Sequence, residues 1–356
     1  MFATISDPVL RLAASVGAIT LLLTAVLSLA VILMRIHALR VERVHRLTVA
    51  RWRPLLVRVA AGDDMPLPRL LRRERVPLLL LWNQLQESLR GQAHERLNEL
   101  GERLGLYQMA HRLTRNRHLA ARVIGHATLG QFARAQDWPR MLRAMQRRFT
   151  PASLAAARAL LHIDPHTAAP LVLDRYLTLG DWPAPRLGTL LRETPQEAIG
   201  PLFVKRLLEG SVYEQLRLLP LLRFAEVPQI DSVLDRLVQT SREPQVLASA
   251  LRQLQGPGAI DAVRRLTGHL DPLVRSAAAQ ALGRIGGSAD ENTLVDLMAD
   301  ANWWVRYRAA QALVGMPRMN ADDMVQLRRI TADRFARDML AQVLAEHSLA
   351  RLGSPA

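Results

Sequence analysis

Residues 274–282 read VRSAAAQAL, and residues 305–313 read VRYRAAQAL. The two segments agree at seven of nine positions and lie 31 residues apart. Self-similarity at a period of 20–50 residues is the signature of stacked structural repeats, because each unit is too small to bury its apolar face alone. We therefore expect most of the chain to form an array of repeats that offers one extended binding surface, not a compact enzyme fold.

The first copy of the repeated segment predicts an amphipathic helix. Its apolar residues between 274 and 285 recur at the spacing of one helical face. Asp271 and Pro272 precede it as an N-cap and a first helical residue. Ala278 and Ala281 are small, which favours close approach of a neighbouring helix. The repeat unit is therefore expected to contain a helix that packs against its counterpart in the next unit.

The same rhythm continues towards the N-terminus as the sequence likeness fades. Asp137-Trp138-Pro139 and Asp181-Trp182-Pro183 are repeated helix-entry signals. Strand signals such as alternating β-branched runs are almost absent. The chain is therefore predicted to be all-α, with the first helix of each pair beginning near residues 138, 168, 196, 228, 260 and 290.

These features resemble the HEAT-repeat family, in particular the short bacterial repeats with the pattern Asp-Pro-x-Val-Arg-x-x-Ala-Ala-x-Ala-Leu-Gly. Residues 271–283 fit the pattern directly, and in the next unit Asn302 replaces the aspartate and Val314 the glycine. The resemblance is specific over 258–315, rests on rhythm alone over 138–257, and is absent before about residue 110. It implies a right-handed, armadillo-like α-solenoid of helix pairs.

The resemblance also implies roles for individual residues. In this family the turn aspartate and the arginine of the second helix usually bond between adjacent repeats. Asp271, Arg275 and Asn302 are therefore expected to form a structural ladder. Arg306 occupies the equivalent position in the next repeat, so it is also expected to bond between repeats. It is considered below as a candidate partner contact as well.

The N-terminal region contains a candidate membrane anchor. Residues 12–34 are 23 consecutive uncharged residues, about 34 Å of helix and enough to cross a hydrocarbon core of about 30 Å. A cleavable signal peptide is the alternative, but the apolar run is long for one and its charged n-region is weak. The sequence favours a single uncleaved transmembrane helix.

Arginines that follow the candidate span predict its orientation. Residues 35–76 contain eleven arginines against four acidic residues, whereas only Arg11 precedes the span. The positive-inside rule then places the N-terminus outside and residues 35–356 in the cytoplasm. The resemblance to bacterial repeats implies that the membrane is the inner membrane of a bacterium. Residues 35–60 could form an amphipathic helix along the interface, although solvated arginine is the alternative. The candidate contacts to anionic lipid headgroups are Arg35, Arg40, Arg43, Arg46, Arg51 and Arg53.

Small residues in the span suggest one further association. Ala13, Ala14, Gly17 and Ala18 form two small-x-x-x-small pairs, which can mark helix–helix contact in lipid. Self-association through the anchor is therefore a hypothesis, with ordinary span composition as the alternative.

The resulting division of the chain has five parts. Residues 1–11 form an extracytoplasmic stub, 12–34 the transmembrane helix, 35–76 a basic connector, 77–135 an N-terminal helical cap and 136–356 the repeat solenoid. Within the cap, polar residues on apolar helices offer an alternative role in partner binding: Asn83, Gln84 and His94.

No catalytic motif is recognisable. The absence of cysteine excludes thiolate nucleophiles and cysteine zinc sites, and no phosphate-loop or nucleophile-elbow pattern occurs. His162 and His166 flank Pro165, which breaks a helix, so we expect a turn capped by Asp164 and not a metal pair. No catalytic residue, metal site or cofactor is predicted, and no basic stretch is paired with a nucleic-acid motif.

Two adjacent tryptophans open the second helix of the last clear repeat, where the preceding unit has Pro272 and Leu273. Tryptophan is enriched in binding hot spots. One ring is expected to pack between repeats and the other to be exposed, with burial of both as the alternative. The candidate partner contacts are Trp303, Trp304, Arg306, Tyr307 and Arg308.

The leading functional hypothesis is a membrane-tethered scaffold, without enzymatic activity, for another membrane-associated protein. Two alternatives stay open. The family resemblance makes a bilin lyase-like or DNA glycosylase-like enzyme conceivable, and the basic connector makes an anionic-lipid-binding organiser conceivable.

Overall fold

The fold is described from a computed structural model, which covers residues 8–222, 230–316, 326, 328–329, 331 and 333–352. For residues 8–15 and 347–352 only the backbone is described. Helices and short 3₁₀ turns make up all regular structure in this part of the chain. The all-α prediction is confirmed for these residues. The chain forms two compact units, Met1–Ala144 and Met145–Ala356.

Helices of the first unit begin with one long element. Helix α1 runs without interruption through the predicted span and on through most of the predicted connector. A 3₁₀ turn, Arg72–Glu74, leads into the helices that follow. The helices are α1 (Pro8–Ala61), α2 (Arg75–Ser88), α3 (Gln92–Arg103), α4 (Leu106–Leu113) and α5 (Leu119–Phe132), followed by α6 (Trp138–Met145) at the border between the units.

The first part of α1 is exposed on all sides. Its described side chains from residue 16 to 34 are solvent-facing and apolar or uncharged. Among the described helices, α1 alone has a stretch, Val16–Ala61, long and apolar enough to cross a membrane. A helix that is apolar all round is stable in lipid or in a protein core, and no part of the described chain covers this segment.

The second part of α1 belongs to the core of the first unit. Trp52 and Leu56 are completely buried where α1 packs against α2 and α3. Arg51 donates to the buried Glu74 at 3.0 Å. Burial by itself would raise the pKa of Glu74, but the hydrogen bonds from the Leu71 amide and Arg51 hold that pKa below its usual value. Residues 35–61 of the connector are therefore helical and partly buried, which differs from an amphipathic helix lying along the membrane over its whole length.

The described part of the second unit is a succession of helices joined mostly by short turns, and α12–α13, α14–α15 and α16–α17 pack as pairs. The first-helix positions predicted from the rhythm are met within a few residues at α6, α8, α10, α12, α14 and α16. The helices after α6 are α7 (Pro151–Ile163), α8 (Pro165–Leu179), α9 (Ala184–Arg192), α10 (Gln196–Glu209), α11 (Val212–Leu218), α12 (Ile230–Thr240), α13 (Pro244–Gln253), α14 (Ile260–Leu266), α15 (Pro272–Ile285), α16 (Glu291–Leu297), α17 (Trp303–Val314) and α18 (Arg334–Leu352).

Local sequence signals explain where these helices begin. Asp164 caps α8 by accepting from the backbone amides of His166 and Thr167 at 3.1 and 3.2 Å. The predicted inter-helix turn between His162 and His166 is thereby confirmed. Asp271 caps α15 in the same way. These caps satisfy amides that have no partner inside the helix.

Second helices of consecutive pairs lie side by side. Helix α15 packs on α13 in one direction and on α17 in the other. Gly283 faces Ala312 so closely that a Cβ atom at 283 would lie 2.6 Å from the Ala312 Cβ. The corresponding residue of the next unit, Val314, is only partly buried. The glycine of the repeat pattern is therefore required where another second helix packs on it.

Candidate functional site

Several arginines on the repeat helices are bound between neighbouring repeats, so they must be distinguished from groups able to bind a partner. Arg275 on α15 makes a bidentate salt bridge to Asp300, with distances of 2.7 and 2.9 Å. Arg264 on α14 pairs with the buried Asp290 in the same manner. Such two-pronged pairs fix geometry as well as charge. These guanidinium groups are therefore part of the scaffold.

The predicted ladder needs one correction. Arg275 belongs to it, but its carboxylate partner is Asp300, which lies two residues before Asn302 in the following turn. Asp271 and Asn302 instead cap their own helices, accepting from the Leu273 and Trp304 amides at 2.8 and 2.9 Å. An N-cap side chain is turned towards the first turn of its own helix, so it does not reach the neighbouring unit.

An exposed aromatic cluster opens α17. It consists of Trp303, Trp304 and Tyr307. The Trp303 and Tyr307 rings stack with centroids 5.0 Å apart and planes 10° apart. Trp304 meets the Trp303 ring edge-on at 4.8 Å. Trp303 is 42% exposed and Trp304 57% exposed, so the structure buries neither ring between repeats.

Two arginines of the predicted contact set border the aromatic cluster in different ways. Arg306 donates to the backbone carbonyls of Asp300 and Ala301 at 2.8 and 3.1 Å, which ties it to the preceding turn. Arg308 carries its guanidinium 5.9 Å from the Trp304 ring centre and 5.6 Å from that of Tyr307. Arg306 is therefore mainly structural, whereas Arg308 borders the exposed rings.

Helix α18 holds the aromatic cluster from the other side. The Tyr307 hydroxyl donates to a Glu346 carboxylate oxygen at 2.8 Å, and this hydrogen bond raises the pKa of Tyr307. Phe335, also exposed, lies with its ring centre 5.4 Å from the Arg306 guanidinium. The hydrogen bond to Glu346 therefore holds the Tyr307 ring, on which Trp303 stacks.

Two exposed leucines in the preceding unit were not predicted from the sequence. Leu270 is 96% exposed and Leu273 is 41% exposed. Leu273 occupies the same position in its repeat as Trp304 does in the next repeat, 31 residues later. This equivalence was visible in the sequence and could have predicted that Leu273 is exposed. The apolar surface therefore extends over the entries of two adjacent second helices.

The predicted headgroup arginines separate into groups along α1. Arg35, Arg40 and Arg43 are exposed and form no ion pair within the described residues, and Arg46 lies 3.5 Å from Glu42 on the same helix. Arg51 is bound to Glu74, and Arg53 lines a groove of about 320 Å³ with α2 residues including Gln84 and Leu85. Of the six, only the first four are unattached to the folded part of the first unit.

Three polar residues of the cap were predicted as alternative contacts to a partner. One of them, Gln84, lines the groove that also contains Arg53. Asn83 is buried and donates to the Thr128 hydroxyl at 3.0 Å. His94 is half-buried and its backbone carbonyl accepts from Gln86. Gln84, in contrast, is exposed.

A hydrogen-bonded histidine–aspartate pair in the first unit was not anticipated. His111 Nε2 lies 3.0 Å from Asp137 Oδ1, and the Tyr107 hydroxyl donates to Asp137 Oδ2 at 2.9 Å. Gln136 in turn donates to the Tyr107 oxygen at 2.6 Å. Both carboxylate oxygens already have protein donors, so the group links α4 to the start of α6. Among the described residues there is no cluster of three side chains suited to a metal ion.

The helix pairs that carry the exposed aromatic and apolar side chains match a known repeat family. Residues 230–314 match the family model of HEAT repeats. This supports a HEAT-repeat protein, and the match contains both Trp303–Tyr307 and the leucines of the preceding HEAT repeat. HEAT repeats generally mediate protein–protein interaction. No curated protein matches the chain.

Proposed function

We propose that this chain is a membrane-tethered scaffold whose HEAT repeats form a right-handed α-solenoid and bind another protein at the inner membrane. The observation that carries the proposal is the exposed aromatic cluster within the HEAT repeats. Three large rings held rigidly at the surface cost little side-chain entropy on binding. Contiguous exposed apolar surface of this kind marks interaction sites.

The tether is supported by the exposed apolar part of α1. Because the same helix continues into the core of the first unit, anchor and folded domain would be connected without a flexible linker. The arginine excess after the span favours a cytoplasmic location for both units. In this arrangement the partner is a membrane protein or a protein assembled beside the membrane.

The continuity of α1 also limits which arginines would contact lipid headgroups. Arg53 lies about 28 Å beyond the end of the span along a helix that rises 1.5 Å per residue. Screening over about 8–10 Å at physiological salt would leave it little attraction to the bilayer. We propose headgroup contact for Arg35, Arg40 and Arg43, as an aid to anchoring and not as the main function.

Binding is proposed in preference to catalysis. The acid–base pair of the first unit, His111 and Asp137, is engaged within its own hydrogen-bond network. No observation specifically favours a bilin lyase-like or DNA glycosylase-like reaction.

Self-association through the anchor remains a hypothesis. A Cβ atom added at Gly17 would have no neighbouring atom within 4 Å, and the side chains of Ala13 and Ala14 lie outside the described residues.

The test compares affinity capture from native membranes by the full-length protein and by a Trp303→Ala/Trp304→Ala variant. The variant should lose its specific partner, by about thirtyfold or more in affinity, since hot-spot truncation costs about 2 kcal/mol or more. Its thermal unfolding midpoint should change little because both rings are exposed.

The matched control is Tyr213→Ala, which removes another exposed aromatic ring from the second unit, outside the matched repeats. It should retain the partner. Equal capture by all three proteins, or a large fall in the unfolding midpoint of the double variant, would contradict a binding role for the aromatic cluster.

A further inference from the structure

Within the described residues, two arginines on the HEAT-repeat second helices form neither a salt bridge nor a hydrogen bond to a backbone carbonyl. Arg252 lies on α13 and Arg308 on α17, on either side of α15, which packs against both helices. Arg308 donates to the Gln311 side chain at 2.8 Å. With its amide oriented to accept, Gln280 on α15 also lies 3.2 Å from Nε and Nη1 of Arg308.

The arginines of the intervening helix α15 are bound differently. Arg275 is paired with Asp300. Arg284 donates to the carbonyl of Leu251 at 2.5 Å and so caps the end of α13. Those side chains hold the repeats together. Arg252 and Arg308 form no salt bridge with another repeat within the described residues. Their positive charge is therefore available to a ligand.

The two charges influence each other. The side chain of Arg252 reaches solvent, but partial desolvation and then the positive charge of Arg308 lower the pKa of Arg252. Two neighbouring cations repel each other, and an anion placed between them would relieve that repulsion.

We propose that Arg252, Gln280 and Arg308 form an anion-binding subsite that takes the carboxylates of an acidic segment of the partner protein. The inference rests on the proposed scaffold function and specifies the partner's chemistry. Apolar residues of the same segment pack on Trp304 and Tyr307, because Arg308 of the subsite also borders those two rings. Guanidinium groups suit carboxylates through paired hydrogen bonds.

A protein segment fits this surface better than a nucleic acid does. Strands of nucleic acid need a row of cations that follows the phosphates. Here Arg275, on the intervening helix α15, is bound to Asp300. Trp303 and Tyr307 stack on each other, which leaves fewer ring faces for bases.

The experiment uses the full-length protein in nanodiscs of neutral phosphatidylcholine and a displayed library of short random peptides. Selected peptides are then synthesised and their affinities measured by fluorescence anisotropy. We expect selection of sequences that combine Asp or Glu with apolar residues. Arg252→Gln/Arg308→Gln should weaken their binding by about tenfold or more, as expected for lost charge-assisted hydrogen bonds.

The matched control is Arg236→Gln/Arg265→Gln, which removes the same charge from the first helices α12 and α14. It should bind within about twofold of the unaltered protein, the difference expected for distant surface charges. A second variant guards against misfolding: Gln280→Glu supplies an internal carboxylate to Arg308. It should keep or raise the unfolding midpoint and still weaken acidic peptides.

The outcomes separate this inference from the proposed function. Selection of apolar peptides without acidic residues, with loss of binding only in Trp303→Ala/Trp304→Ala, would overturn the subsite and retain the scaffold. Tighter binding of a labelled single-stranded oligonucleotide or of phosphatidylserine vesicles, dependent on Arg252 and Arg308, would assign the subsite to phosphate and overturn the inference. Failure to select any peptide would count against both.

Discussion

Arg175 is almost completely buried, and its three nitrogen atoms all donate hydrogen bonds. Nε and Nη2 bond to the carbonyls of Met145 and Arg147, while Nη1 and Nη2 grip Asp181 at 2.7 and 3.1 Å. The guanidinium also lies 4.5 Å from the Trp182 ring centre. A buried cation with this many partners orders the turn between α8 and α9.

The pair predicts a specific dependence of stability on pH. Hydrogen bonds from Arg175 lower the pKa of Asp181 below its ordinary value of 3.8. A carboxyl group with a lowered folded-state pKa stabilises the protein above the unfolded pKa and loses that contribution as pH falls through the folded pKa. Asp181→Asn should therefore destabilise the protein at neutral pH by about 3 kcal/mol, because the buried Arg175 would lose its carboxylate partner.

The measurement is denaturant unfolding of both proteins at neutral pH and at several values below 3.8. Their difference in stability should shrink as the solution becomes more acidic. Asp296→Asn, at an exposed position on α16, should show no such trend. A difference between wild type and Asp181→Asn that is independent of pH would show that the charge of Asp181 does not contribute.

Residue roles were only partly readable from the sequence. Asp164 and Asp271 cap helices as their positions before proline predict, because a cap depends on residues within one turn. The partner of Arg275 was not readable, since Asp271, Asp300 and Asn302 are all near turns and only the packing of units decides which one it reaches.

At the scale of elements, the contact between α15 and α17 depends on a single missing side chain. Alanine has the higher helix propensity by about 1 kcal/mol, so Gly283→Ala would stabilise an isolated helix. In the protein the new Cβ would meet Ala312 atoms at 2.6 to 3.0 Å, including its Cα and carbonyl oxygen. Backbone atoms cannot rotate away, and overpacking typically costs about 1–3 kcal/mol.

Gly283→Ala should therefore lower the thermal unfolding midpoint. Gly287→Ala is the control, because a Cβ at 287 has no atom within 4 Å and the backbone there is extended. It should leave the midpoint unchanged or raise it slightly. A rise in the midpoint for Gly283→Ala would mean that the two helices are not in close contact.

Element positions were more predictable than element surroundings. The repeat rhythm placed the first helices of the pairs within a few residues, since helix entry depends on local caps and prolines. The rhythm did not show that α1 continues to Ala61 or that Trp52 is covered by α2 and α3. That burial depends on helices that follow later in the chain.

At the scale of the whole molecule, membrane attachment is the main prediction. Leu23→Arg places a charge in the middle of the apolar stretch, at a cost of about 2.5–3.5 kcal/mol for insertion. It should release protein into the carbonate-extractable fraction, whereas the unaltered chain should stay with membranes. Leu39→Arg, on the exposed part of α1 after the stretch, is the control and should stay attached.

Extraction of the unaltered chain, or full retention of Leu23→Arg, would contradict a transmembrane anchor. The same assay tests the headgroup contacts: replacing Arg35, Arg40 and Arg43 by Gln should increase extraction of Leu23→Arg further.

The side of the membrane on which the first unit lies can be tested separately. Because the chain lacks cysteine, a Gln92→Cys variant has a single thiol, which a membrane-impermeant maleimide labels only from outside the cell. Protection in intact cells is expected.

The sequence by itself determined the features that depend on near neighbours along the chain. These are the helical class, the repeat period, the caps and the length of the apolar stretch. Each follows from a spacing of 3.6 residues, a single turn or a continuous run, so a few adjacent residues suffice.

Only the tertiary structure decided which side chains are covered, paired or exposed. Trp52 and Trp304 are both tryptophans on amphipathic helices, yet one is enclosed by α2 and α3 and the other faces solvent. Arg252 and Arg308 lie on α13 and α17, which flank α15 only because the helices pack in that order. Burial and charge pairing sum over residues distant in sequence, so no local pattern contains them.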